Sequence, residues 1–64
     1  MEETELEKAQ RRVTEGRRIV AEQRERVARL KISSPDFSAA KKDLELFEDS
    51  LAIFEVDLAA LLAK

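Results

Sequence analysis

The stretch Ile32-Ser33-Ser34-Pro35-Asp36 decides the fold, because it holds the chain's one proline and interrupts two long helical patterns. Proline lacks an N–H and pushes the residue before it out of helical backbone, so a helix arriving from the N-terminal side stops here. Ser34 suits an N-cap, with Pro35 at the first helical position and Asp36 against the positive end of the following helix. Asp36 is the alternative cap. A turn confined to 32–35 joins antiparallel neighbours.

On the N-terminal side a helix is expected over 3–31. Leu6, Val13, Val20 and Val27 recur every seven residues, and Ala9, Gly16, Gln23 and Leu30 follow each by three. That spacing is the seam of a coiled-coil-like helix, and apolar residues do not alternate as a strand requires. On the C-terminal side a second helix is expected over 35–63. Its seam is Phe37, Leu44, Leu51 and Leu58 with Ala40, Phe47, Phe54 and Leu61. The fold class is therefore all-α, an antiparallel two-helix hairpin of one domain. Folding at the turn pairs residues whose numbers sum to about 67.

Helix two carries more apolar surface than one neighbour can cover. Leu46, Ile53 and Ala60 form a further seven-residue stripe on a different face, joined by Val56 and Leu62. A helix apolar nearly all round is buried nearly all round. A chain of 64 residues buries only about 60% of its unfolded surface and ordinarily needs a metal, disulfides or a partner. It has no Cys and no His, which removes disulfides, thiolate zinc sites and the commonest metal ligand. Association remains, and a homodimeric four-helix bundle that buries the seams more deeply and covers the Leu46/Ile53/Val56 surface is the expected closed form. Leu46, Ile53, Val56, Ala60 and Leu62 are the candidate dimer or partner surface, and the first partner is a second copy.

Charge supports the pairing. Residues 8–31 carry nine Lys/Arg against three Glu, and residues 36–64 carry three Lys against seven acids, within a net charge of −2. Helix one is basic, helix two acidic.

The Arg-rich first helix is the feature that raises nucleic acid as a partner. Against it, Glu7–Arg11, Arg11–Glu15, Glu15–Arg18, Arg18–Glu22, Glu22–Arg26 and Glu25–Arg29 stand three or four apart, the spacing of intrahelical ion pairs. No aromatic residue interleaves the arginines to stack a base. Gly16, mid-helix on the seam, implies close approach of a facing side chain such as Leu51 or Phe54, or else a kink or small cavity. Gln23 is the polar seam residue; its amide either reaches water or bonds its symmetry mate and sets register. Glu45, Glu48, Asp49, Glu55 and Asp57 read as solvated. There is no Gly-rich phosphate loop and no Ser/His/Asp set. Neither catalytic nor metal-binding residues nor any cofactor are expected.

The segment Val13-Thr14-Glu15-Gly16-Arg17-Arg18-Ile19-Val20-Ala21-Glu22-Gln23-Arg24-Glu25-Arg26-Val27-Ala28-Arg29-Leu30 resembles a pattern in short helical-hairpin hypothetical proteins of alphaproteobacteria, V-x-E-G-x-R-x-I-x-x-Q-R-E-x-I-A-x-L. Leu44-Glu45-Leu46-Phe47-Glu48 resembles the L-x-x-F-E of that pattern's second helix. Ser34-Pro35 stands where the pattern has a Gly-containing turn. The resemblance implies the hairpin and brings no activity with it.

Met1-Glu2-Glu3 is acidic and lacks the basic-then-apolar order of a signal peptide, and no apolar run approaches the ~20 residues of a membrane span. A soluble, cytoplasmic protein is expected, with no membrane partner. The expected function is a non-enzymatic interaction or scaffolding module acting as a dimer. The alternative is a small nucleic-acid-binding dimer presenting helix one.

Overall fold

The computed structural model describes residues 2–64 as helix α1 (Glu5–Arg29) and helix α2 (Pro35–Leu62), packed against each other, with no strand among the described residues. α1 starts two residues later than the seam spacing suggests, because Thr4 caps it. The Thr4 hydroxyl accepts from the Glu7 N–H at 3.1 Å, and the Glu7 carboxylate accepts from the Thr4 N–H at 3.1 Å. This reciprocal box satisfies two of the four donors a helix start leaves open. Thr4→Ala is expected to cost about 1 kcal/mol and lower Tm by roughly 4–8 °C, with Thr4→Ser close to the parent in a circular-dichroism melt.

α1 also ends two residues earlier than expected. Leu30 is already extended (φ −83°, ψ 142°), and the Ser34 N–H closes a turn onto the Lys31 carbonyl at 2.9 Å. Five residues thus separate the helices, and they contain no left-handed backbone. Ser34, not Asp36, caps α2: its hydroxyl accepts from the Asp36 N–H at 3.2 Å, with Pro35 in the first turn. α2 ends at Leu62.

The chain is one layer thick. Its extents are 47 × 22 × 13 Å and its radius of gyration is 14.8 Å, where a compact chain of this length has about 11 Å. Each helix is covered on one side only, and the core is correspondingly thin. Ala9, Val13, Val20 and Ala40 are buried, and among the described residues no large side chain is fully enclosed. Gly16, Gln23, Val27, Leu30, Phe37, Leu44, Leu51, Phe54, Leu58 and Leu61 are half-buried. Leu6 and Phe47, also on the seam, stay 36% and 39% exposed. Leu6 lies one residue inside the start of α1, and Phe47 lines an open hollow beside the seam.

Leu51 packs close against Gly16. A Cβ there would lie 3.0 Å from Leu51 Cδ1, close enough that this side-chain end would have to shift, and 3.8 Å from Phe54 Cδ2, in ordinary contact. The backbone is ordinary helix, with no positive φ. Glycine here lets Leu51 of the facing helix approach closely.

Candidate interaction surfaces

The hairpin has two edges along its seam, and they differ chemically. One edge is bridged between the helices by Arg24–Glu48 at 2.9 Å and Arg17–Glu55 at 3.6 Å. Both pairs are solvent-exposed and worth little individually, about 0–1 kcal/mol each. Together they make that edge polar. The other edge carries an apolar hollow lined by Gly16, Ile19, Phe47, Ser50, Leu51 and Phe54. Towards the chain ends a second hollow adjoins Ala9, Arg12, Asp57 and Leu61.

The third surface is the back of α2, facing away from α1. Leu46, Ile53 and Val56 are 58%, 61% and 68% exposed, and Leu62 and Ala60 are exposed further along. The stripe is not continuous: Asp49, three residues after Leu46, falls within it. Ile32 stands exposed in the turn. The back of α1 has no such stripe; Arg11, Glu15, Arg18, Glu22, Glu25 and Arg29 occupy it.

Those charges form part of the expected ladder. Arg11–Glu15, Arg18–Glu22 and Glu25–Arg29 approach at 3.8, 2.9 and 4.0 Å. Glu7–Arg11, Glu15–Arg18 and Glu22–Arg26 do not close. Glu7 is occupied by the Thr4 cap, and Arg11 turns instead to Glu3, whose carboxylate accepts from it at 3.1 and 3.0 Å. The hydrogen bond from Arg11, with its charge, holds the Glu3 carboxyl below the usual carboxylate range and raises the guanidinium in turn.

Gln23 departs from the simpler of its two expected roles. Its Oε1 is sealed from solvent and accepts no hydrogen bond. The amide oxygen therefore does not reach water, because the half-buried side chain folds onto the seam rather than outward. Among the described residues no group of three acidic side chains is placed to hold a metal ion, and no helix is long and apolar enough to cross a membrane.

No family profile, no curated protein and no solved structure matches this chain.

Proposed function

We propose that the chain is a non-enzymatic interaction module that works as a homodimeric four-helix bundle and scaffolds or regulates a partner protein. The observation that carries this reading is area. A folded chain of 7.3 kDa ordinarily exposes about 4,200 Å², and this hairpin exposes 5230 Å². The excess, roughly 1,000 Å² per chain, is close to the ~800 Å² each partner contributes to a standard stable interface. A one-layer hairpin with four small buried residues supports this further, since domains are ordinarily built from two packed layers.

A second copy covers one broad face of each hairpin. The back of α2, with Leu46, Ile53 and Val56 at helical spacing, then remains for the apolar face of a partner's helix. Asp49, which falls within that stripe, favours a helix that carries a basic residue among its apolar ones.

Size exclusion with light scattering tests the dimer, read by refractive index because the chain has no Trp or Tyr. The expected mass is twice 7.3 kDa at micromolar concentration. A single-chain mass throughout that range would remove the basis of the proposal.

A further inference from the structure

We infer that two hairpins meet through the edge bearing the Gly16–Phe54 hollow, about a two-fold axis parallel to the helices, so that both turns lie at the same end. This rests on the dimer reading above and adds the interface and its orientation.

The hollow-bearing edge has a charge pattern of its own. Along α1 it reads Arg12, Ile19, Arg26, and along α2 it reads Asp43, Ser50, Asp57, each at seven-residue intervals. Arg12 and Asp57 line one hollow, and Ile19 and Ser50 line the next. The two rows therefore run level: basic, apolar, basic on one helix beside acidic, small, acidic on the other. All four charged residues are exposed, and none is ion-paired among the described residues. By contrast Arg11, Arg17, Arg18, Arg24 and Arg29 each have an acidic partner.

Two hairpins stacked face to face admit two kinds of two-fold axis in the plane between them. An axis across the helices lays α1 on α1 and α2 on α2, which sets the unpaired arginines against arginines and aspartates against aspartates. An axis along the helices lays α1 of each copy on α2 of the other, antiparallel and at the same level as within the chain. Arg12 then meets the partner subunit's Asp57, and Arg26 meets the partner subunit's Asp43. Between them Ile19 packs on the partner subunit's Ser50, whose small side chain leaves room for it. Phe47 and Phe54 of both copies turn into the shared centre. The opposite edge is already bridged by Arg24–Glu48 and Arg17–Glu55, and the residues that continue those rows at seven-residue intervals, Lys31 and Lys41, are both basic and offer each other no complement.

The test is a distance between turns. The chain has no cysteine, so Ser33→Cys, in the exposed turn, takes a single nitroxide per chain. In the dimer the inter-label distance by pulsed electron resonance is expected below about 30 Å, given helices spaced ~10 Å apart. A distance near the 47 Å length of the hairpin would overturn the orientation. The face is tested by charge exchange. Arg12→Glu with Arg26→Glu, and separately Asp43→Arg with Asp57→Arg, are each expected to raise the dimer Kd about tenfold, and mixing the two variants to restore it. These are good helix formers on exposed positions, so helicity by circular dichroism shows that folding is kept. Unchanged dimerisation in both variants would overturn the face. A single-chain mass for the parent protein would instead defeat the dimer reading, and this inference with it.

Discussion

Diluting the protein from about 100 µM to about 1 µM is expected to lower its Tm by roughly 10 °C. When folding and association are one event, each tenfold dilution removes about 1.4 kcal/mol, so a hundredfold dilution removes about 2.7 kcal/mol. Two chains of 64 residues unfold with an entropy of roughly 0.27 kcal/mol/K, from about 2.1 cal/mol/K per residue. The quotient is the 10 °C shift. It is large because the isolated hairpin has little to fall back on. Its buried residues are two valines and two alanines, and the larger seam side chains, Phe37, Leu44, Leu51, Phe54 and Leu58, are each half-buried. Circular dichroism at the helix band, in cells of different path length, measures the shift without any label. A Tm that does not move with concentration would mean that the hairpin is held by its own seam, and the excess surface would then need another explanation than a second copy.

The seam was legible in the sequence because spacing by seven is a strong signal and both helices carry it without interruption. Ser34-Pro35 placed the turn for an equally local reason: proline fixes where a helix can begin. The ends of α1 were less legible. At its start the signal was present, since Thr4-Glu5-Leu6-Glu7 has the spacing of a capping box, but the apolar period alone carries no boundary. At its finish there is no glycine; Leu30 leaves the helix because the chain must reverse before Ser34. Which ion pairs close was not legible at all. Arg11 can reach Glu3, Glu7 or Glu15, and the choice depends on Glu7 being held by Thr4. Arg17 and Arg24 reach across to α2 instead of along α1, so the arginines left unpaired emerge only once the two helices are placed together. The exposed back of α2 was legible as surplus apolar surface, yet the hollow on the seam's edge was not. It is lined from both helices, by Gly16 and Ile19 with Phe47, Ser50, Leu51 and Phe54, and the period of either helix alone does not report it.

Gln23→Leu is expected to stabilise the protein by about 1–3 kcal/mol per chain, which is the cost of a buried acceptor left without a donor. The Gln23 Oε1 is such an acceptor, sealed on the seam between Val20 and Val27. Leucine has nearly the same length and volume, keeps the helix, and replaces a desolvated carbonyl with apolar contact. Rotating the amide to exchange oxygen and nitrogen would put a donor in the same sealed position and leave the argument unchanged. Tm should rise by at least 4 °C for each kcal/mol gained, measured at a fixed protein concentration so that association does not mask it. Light scattering on the same variant adds a second reading. Gln23 lies four residues after Ile19 and seven after Gly16, so it is on the hollow-bearing edge, through which we propose that two hairpins meet. If a rearranged amide bonds across that interface, Gln23→Leu would gain no stability and would broaden the mass beyond a dimer, as happens when a buried polar residue that sets oligomer state is removed. A higher Tm with an unchanged dimer mass would show that the amide is a strain the seam tolerates and that it does not set the oligomeric state.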